Sequence, residues 1–137
     1  MNISAPISSI MTTEVVSVSP QDRLESVKKL LDQHKIHHLP VVHNNNIVGL
    51  ISKSDFLLFQ RIPNTDLDRF TEATRLKAFR AEEIMAINLK TLAPQDSIKM
   101  AIDLFIENDF HCIPVIEDQE LKGIVTTHDI LKMIKGA

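Results

Sequence analysis

The sequence carries one short motif twice that has the parts of a nucleotide site. Residues 49–55 read GLISKSD, and residues 123–129 read GIVTTHD. Each copy has a glycine, a hydroxyl residue three positions later and an aspartate three positions after that. The glycine lets another group approach the backbone closely. The hydroxyl stands where a helix would begin, and the unpaired N–H groups of a helix start suit a phosphate. The aspartate can accept hydrogen bonds from the two vicinal hydroxyls of a ribose.

The same spacing also has a purely structural interpretation. Ser/Thr-x-x-Asp is close to a capping box, in which the hydroxyl caps the helix start and the acid caps back. A single copy would more often be only that. Because two copies occur, both directly after glycine and two apolar residues, we favour ligand binding by Ser52, Asp55, Thr126 and Asp129.

Both motifs belong to a longer repeat, in which the chain copies itself in register at an offset of 74 residues. Residues 20–22 and 94–96 both read Pro-Gln-Asp, and no gap is needed anywhere from Ile10 to Leu58. About 50 residues bury too little surface to fold stably alone, so we expect the two copies to share one core. Two like halves that pack together also create a cleft, which is where small ligands bind.

Each copy predicts the element order β-α-β-β-α. A short strand at 15–18 or 89–92 is followed by a proline, which cannot continue a strand ladder, and Asp22 or Asp96 then caps a helix. That helix carries apolar residues at the period of one buried face: Leu24, Val27, Leu30 and Leu31 in the first copy, and Ile98, Ala101, Ile102, Phe105 and Ile106 in the second. Hairpin strands follow at 39–42 and 47–51, and again at 113–116 and 121–125, and a last helix begins near Ser52 or Thr126.

The segment between the copies also shows helical spacing. Phe70, Ala73, Leu76 and Phe79 recur every three residues, which predicts a connecting helical segment over residues 63–80. Its apolar stripe either covers the core or meets a partner chain, and the sequence leaves both alternatives open.

The ordered pieces, occurring twice, resemble a tandem pair of CBS (cystathionine β-synthase) domains, a Bateman module. The resemblance is carried by residues 10–12, 18–20, 38–42 and 49–55 in the first copy, and by residues 84–85, 92–94, 112–116 and 123–129 in the second. It implies an α+β fold, in which two pseudo-symmetric β-α-β-β-α repeats pack through their sheets into one CBS-pair module over residues 1–137. Repeat one would span residues 7–62 and repeat two residues 81–137.

The resemblance also implies a non-catalytic, regulatory function. Family members bind adenosine-containing ligands (AMP, ADP, ATP or S-adenosylmethionine) in the cleft between the repeats, with a role such as energy sensing and no obligatory cofactor. We then expect a signal to a separate effector protein and association into a homodimer. The alternative is a ligand-free module for dimerisation or interaction. An enzyme is not expected, because no acid–base or nucleophile set appears in the sequence.

The family's ligand contacts can be carried over residue by residue. The resemblance implies that Asp55 and Asp129 contact a ribose and that Ser52 and Thr126 lie near the ribose and phosphates. The strand residues Leu39, Pro40, Ile113 and Pro114 would line the base, with His38, Cys112, Lys53 and His128 as the remaining ligand-binding candidates. Because His38 is partly cationic at neutral pH and Cys112 is not a cation, we expect the two sites to bind unequally. Separately from this difference, we slightly favour the site of Thr126 and Asp129.

Composition argues against other classes of protein. A net charge of −3 at pH 7 does not suit a general nucleic-acid binder. The first residues do not show the basic start and long apolar run of a signal peptide, and no apolar stretch approaches roughly 20 residues, so we expect a cytoplasmic protein without membrane contact. His34, His37, His38 and His43 are close in sequence, but a strand begins after His38 and no full ligand set appears, so no metal site is expected. Cys112 is expected to be a buried free thiol.

Overall fold

The computed structural model describes residues 1–60 and 72–136. Its helices are α1 (Leu24–His34), α2 (Lys53–Gln60), α3 (Glu72–Ala78), α4 (Ala81–Ile84), α5 (Ile98–Glu107) and α6 (Thr127–Gly136), with a 3-10 turn at Ile7–Ser9. Its strands are β1 (His38–His43), β2 (Asn46–Ser52), β3 (Cys112–Glu117) and β4 (Glu120–Thr126). Helices combined with antiparallel hairpins confirm the predicted α+β class.

Two antiparallel hairpins form where the sequence predicts them. Strand β1 pairs with β2 and β3 pairs with β4, and each pair has one irregularity, after Val41 and after Val115 respectively. The two central turn residues have positive φ in both hairpins: 52° and 66° at Asn44 and Asn45, and 52° and 70° at Asp118 and Gln119. Positive φ at both positions is typical of the type I′ turn, whose twist matches that of the flanking strands. These tight turns fix the register of each hairpin.

The first strand of each copy is shorter than predicted. Val18 donates its N–H to the Pro40 carbonyl at 3.0 Å and accepts the Val42 N–H at 2.8 Å. Leu92 makes the equivalent two bonds in the second copy, at 3.1 and 2.8 Å. Both are isolated parallel bridges. The pairing is limited to one residue because a proline, which has no N–H to donate, follows two positions later.

The helices after these bridges bury the predicted apolar face, with one exception. The buried residues are Leu24, Val27 and Leu31 in α1, and Ile98 and Ala101 in α5. The prediction is wrong for Ile106, which is 76% exposed. At the 3.6-residue period, Ile106 lies about 140° around the helix from Ala101 and therefore outside the buried stripe.

The prediction that Asp22 and Asp96 cap these helices is also wrong. The N-cap residues are Arg23, whose side chain makes no capping bond, and Ser97, whose hydroxyl accepts a backbone N–H of the first turn. The aspartates lie one residue too early to reach the first-turn amides. They close the preceding turns instead, where they accept the N–H groups of Ser19 at 2.9 Å and Ala93 at 2.8 Å.

The chain forms two compact units. The central unit comprises Val16–Asn88, and the composite unit combines Met1–Val15 with Leu89–Ala137. In the central unit the Ala81 N–H donates to the Asp22 carbonyl at 2.8 Å, and in the composite unit the Ile7 N–H donates to the Asp96 carbonyl at 2.6 Å. The two bonds are equivalent under the offset of 74 residues. Each unit is therefore completed by the short segment that precedes the first strand of the other copy.

Helix α3 and the residue after it cover the core of the central unit. Leu76 is buried in that core, and Phe79 packs edge-on against Phe59 with ring centroids 5.2 Å apart. The sequence left open whether the apolar stripe of the predicted segment 63–80 covers the core or meets a partner chain. For the described part of that segment, the stripe covers the core. The remaining part, with Phe70 and the end of the predicted repeat one, falls in residues 61–71 and lies outside the described residues. Within residues 1–60 and 72–136, no helix is both long and apolar enough to span a membrane.

Candidate functional site

Each motif glycine faces a segment of its own unit. A Cβ added at Gly49 would lie 2.6 Å from Cγ and 2.9 Å from Cβ of Met85. A Cβ added at Gly123 would lie 2.7 Å from the carbonyl oxygen of Thr12 and 3.0 Å from Sδ of Met11. Neither glycine has a positive φ, so these positions need the absence of a side chain and not conformational freedom. The group that approaches the backbone is thus protein.

In the composite unit, Asp129 is the centre of a closed hydrogen-bond set. Its Oδ2 accepts the Thr126 N–H at 2.9 Å and the Thr126 hydroxyl at 3.1 Å. The Asp129 N–H donates back to Thr126 Oγ1 at 3.2 Å, which completes a reciprocal capping box. The Thr12 hydroxyl donates to Oδ1 at 3.2 Å. Asp129 is only 6% exposed, so its carboxylate is held by groups of its own unit.

In the central unit, the equivalent Asp55 is exposed. Its N–H donates to Ser52 Oγ at 3.1 Å, and Ser52 Oγ lies 3.3 Å from Ser54 Oγ. Within residues 1–60 and 72–136, no donor reaches the Asp55 carboxylate, so the capping box is formed in one direction only. The two motifs share a spacing, but the Asp129 carboxylate is buried and hydrogen-bonded, whereas the Asp55 carboxylate is exposed.

The hairpin register places the residues before the apolar-proline pair beside the motif hydroxyls. His38 pairs with Ser52, and Cys112 pairs with Thr126. The first amide of each following helix is already engaged, because the Lys53 N–H donates to the His37 carbonyl at 2.7 Å and the Thr127 N–H makes the matching bond at 3.1 Å. A phosphate at either helix start would therefore depend on later amides and on side chains.

The four residues expected to line a base are buried. Leu39 and Ile113 are 0% exposed and belong to the hydrophobic cores of their units. The carbonyls of Pro40 and Pro114 accept the bridge bonds of the first strands. The leucine and isoleucine side chains face the cores, so any base contact at these positions would come from the strand backbone.

The polar residues around the two motifs differ in charge. Lys53 is half-buried and His128 is exposed, and Lys132 places Nζ 4.0 Å from Asp129 Oδ1. Burial raises the pKa of the Cys112 thiol from 9.0 to about 12, and the charge of Asp129 adds to the rise. Cys112 is therefore a neutral thiol where the other copy has His38.

The histidines do not converge on a metal site. In the part of the chain that the structure describes, no group of three or more His, Cys, Asp or Glu side chains is placed to hold an ion. His34 ends helix α1, whereas His38 begins strand β1, so the three histidines 34, 37 and 38 do not share one helical face.

Sequence reasoning missed Thr12 as a site residue. Thr12 forms an antiparallel bridge with Ile124 beside Gly123, and this bridge brings its hydroxyl to Asp129. The equivalent position in the central unit is Ala86, which bridges to Leu50 and has no hydroxyl. The alignment at offset 74 contains this difference, but it becomes informative only once the N-terminal segment is known to complete the composite unit.

The duplicated hairpin-and-helix fold and its paired motifs define a tandem-repeat module. The family model for the CBS domain matches residues 7–61 and 81–136, and the chain belongs to this family. Protein MJ1225 of Methanocaldococcus jannaschii is 28% identical over 134 residues, which cover 92% of this chain. Its solved structure matches with a TM-score of 0.84 at 26% identity, covering 98% of this chain and 49% of that one.

Two further structures have the same fold with adenosine ligands bound. The CBS domain pair of protein MJ0100, in complex with 5′-methylthioadenosine and S-adenosyl-L-methionine, matches with a TM-score of 0.78 at 23% identity, covering 96% of each chain. CBSX2 in complex with AMP matches with a TM-score of 0.80 at 23% identity, covering 96% of this chain and 97% of that one. At this identity the matches show the fold.

The chain spans less than half the length of the first curated relatives it matches. It covers 46% of MJ1225 and 24% of a homoserine O-acetyltransferase of Methanohalobium evestigatum, to which it is 26% identical over 131 residues, or 94% of this chain. CBS domain pairs are generally regulatory, and in such multidomain enzymes they form one part of the protein.

Proposed function

We propose that this chain is a non-catalytic regulatory module that binds an adenosine-containing ligand and signals to a separate protein. The observation that carries the proposal is the Ser52–Asp55 pair, which presents a hydroxyl and an exposed carboxylate at the start of α2. A carboxylate in this state is free to accept both hydroxyls of a ribose. The complexes of MJ0100 and CBSX2 with adenosine ligands support the choice of ligand class.

Each motif residue has a role in this proposal. The aspartates bind the ribose, and the hydroxyls of Ser52 and Thr126 lie near the ribose and phosphates. Lys53 and His38 in the central unit, and His128 beside Cys112 in the composite unit, contact the phosphate end. The base lies against the strand backbone at Leu39, Pro40, Ile113 and Pro114.

This charge inventory favours a ligand with few phosphates. Lys53 is the only lysine or arginine among the candidates, and a histidine is not a permanent cation. We therefore rank AMP above ATP, with S-adenosylmethionine as the alternative of low negative charge. Binding of AMP in the cytoplasm would connect the module to energy sensing. No obligatory cofactor is part of the proposal.

Thermal unfolding with AMP, ADP, ATP and S-adenosylmethionine tests the proposal. A ligand at a hundred times its dissociation constant adds about 2.7 kcal/mol to the free energy of unfolding, or roughly 10 °C for a chain of this size. We expect AMP to give such a shift and GMP to give none. Asp55→Asn is expected to reduce the AMP shift, and Asp109→Asn, at an exposed aspartate outside the motifs, serves as the matched control. If all four adenosine ligands leave the midpoint unmoved, the proposed function is wrong.

Self-association is the second candidate function, and exposed apolar residues favour it. Leu131 and Ile134 are 62% and 47% exposed, and they lie three residues apart on one face of α6. We propose that this face joins two chains into a homodimer. Sedimentation velocity should give a dimer for the wild type and a monomer for Leu131→Asp, with Lys135→Ser as the surface control. A monomeric wild type at micromolar concentration would exclude the dimer.

A further inference from the structure

The two motif aspartates differ in how many hydrogen bonds they have left to accept. A carboxylate has about four acceptor positions. Asp129 uses three of them, for the Thr126 N–H at 2.9 Å, the Thr126 hydroxyl at 3.1 Å and the Thr12 hydroxyl at 3.2 Å. A ribose diol needs two positions, and Asp129 has about one. Asp129 can accept both hydroxyls of the diol only if a hydrogen bond from Thr12 or Thr126 is broken.

The hydrogen bond from Thr12 is the one that can be broken, and Thr12 is also the residue that distinguishes the two units. The Thr126 bonds belong to the capping box and are local to the start of α6. Thr12 reaches Asp129 across 117 positions of sequence, through a side chain on an exposed residue. In the central unit this position is Ala86, and within the described residues the Asp55 carboxylate has no donor.

We propose that Thr12 is the residue that makes the two sites unequal, because its hydroxyl occupies the acceptor that a ribose would use on Asp129. The inference rests on the proposed function and deepens it. The Ser52–Asp55 site takes the adenosine ligand first, and the Thr126–Asp129 site binds it only at higher concentration, after Thr12 has been displaced. This order is opposite to the slight preference expressed from the sequence.

The size of the difference follows from the bond that must be broken. A hydrogen bond to a charged group is worth enough to change a dissociation constant by about tenfold or more. We therefore expect AMP to bind the composite unit at least about tenfold more weakly than the central unit. Removing the Thr12 hydroxyl should bring the two dissociation constants closer by strengthening AMP binding to the composite unit. Adding a hydroxyl at residue 86 should bring them closer by weakening AMP binding to the central unit.

Isothermal titration calorimetry of the full chain with AMP tests this. The wild type should bind one AMP tightly, and Asp55→Asn should lose that event. Thr12→Val, which keeps the shape of threonine without its hydroxyl, should add a second event about tenfold stronger than in the wild type. Asp129→Asn in the Thr12→Val background should remove it again. Thr13→Val, at the neighbouring exposed threonine, is the matched control and should titrate like the wild type.

The reciprocal exchange and a smaller side chain complete the design. Ala86→Thr should weaken the tight event by about tenfold, because the new hydroxyl can reach Asp55 as Thr12 reaches Asp129. Thr12→Ala removes the same hydroxyl and protects the test against a packing defect specific to valine. Circular dichroism of every variant checks that the chain is folded.

Two kinds of failure are distinguishable. If the wild type binds two AMP molecules with equal affinity, or loses its tight event through Asp129→Asn and not through Asp55→Asn, the role of Thr12 is overturned while the proposed function stands. If Thr12→Val and Thr12→Ala both titrate like the wild type, the role of Thr12 is likewise wrong. If no variant, wild type included, binds AMP, ADP, ATP or S-adenosylmethionine, the proposed function fails and this inference fails with it.

Discussion

Replacing the two motif glycines by alanine should have unequal effects on stability. At Gly49 the nearest atoms to the new Cβ all belong to the side chain of Met85: Sδ and Cγ can rotate away, and Cβ, at 2.9 Å, is fixed to the backbone. At Gly123 it meets the backbone carbonyl of Thr12 at 2.7 Å. That carbonyl accepts the Ile124 N–H at 2.9 Å, and the Thr12 N–H donates to the Ile124 carbonyl at 2.8 Å. The clash at Gly123 therefore moves a hydrogen-bonded segment, whereas the two shortest contacts at Gly49 are with atoms of Met85 that can rotate away.

The magnitudes follow from what must move. Overpacking against Met85 should cost about 1–2 kcal/mol. Displacing Thr12 puts at risk two backbone hydrogen bonds of about 1 kcal/mol each and the bond to the Asp129 carboxylate of about 1.5 kcal/mol. We therefore expect Gly123→Ala to lower the free energy of unfolding by about 3 kcal/mol. Met85→Ala removes two of the three close contacts at Gly49. In the double mutant with Gly49→Ala, it should therefore recover part of the stability that Gly49→Ala alone loses.

Urea denaturation followed by far-ultraviolet circular dichroism measures these effects, since the chain has no Trp or Tyr for fluorescence. Gly123→Ala combined with Met11→Ala is the matched control, because removing the methionine leaves the Thr12 carbonyl in place. We expect no recovery in that double mutant. If Gly123→Ala costs no more than Gly49→Ala, or if Met11→Ala restores its stability, the bridge at Thr12 is not what Gly123 protects.

Three further predictions concern single positions. Asp129→Asn should lower the free energy of unfolding by about 1.5–3 kcal/mol, because it disturbs a buried set of hydrogen bonds, while Asp55→Asn should stay within about 0.5 kcal/mol by the same urea assay. The folded pKa of Cys112, about 12, lies above its ordinary value of 9.0, so its contribution to stability is intact below pH 9 and falls by about 1.4 kcal/mol per pH unit from pH 9 towards 12. Cys112→Ala should remove this part of the pH slope, and an unchanged slope would contradict the burial of the thiol. Gln119→Gly should stabilise the chain by about 1 kcal/mol because φ is 70° there, with a smaller gain for Asn45→Gly. If neither variant raises the thermal midpoint above that of the wild type, the type I′ turn is contradicted.

Local patterns predicted the elements well where one residue type decides the geometry. Short apolar runs separated by polar turns located both hairpins, and helical spacing located the buried faces of α1 and α5. The errors have local causes. Asp22 and Asp96 are one residue too early for the helix amides, and a capping prediction from composition cannot resolve a single position. Ile106 lies at the edge of its apolar stripe, where the spacing alone allows either burial or exposure.

The exchange of short segments between the copies was beyond the reach of the sequence. Residues 81–88 complete the central unit and residues 1–15 complete the composite unit. Because the copies are homologous, either segment has the residue types to fit either copy: Ile7 and Ala81 are both fully buried at equivalent positions. A repeat found by alignment fixes which residues correspond, and it leaves undecided which of two equivalent partners each segment contacts.

This exchange decides how the two candidate sites should be compared. Within the motifs, Ser52 and Asp55 match Thr126 and Asp129, and nothing in them indicates that one aspartate is exposed and the other closed. The difference lies at Thr12 and its counterpart Ala86. Thr12 covers Gly123 with its carbonyl and holds Asp129 with its hydroxyl. A change at Gly123 should therefore also alter ligand binding at Asp129, whereas a change at Gly49 should leave Asp55 as it is, because Ala86 has no hydroxyl to move.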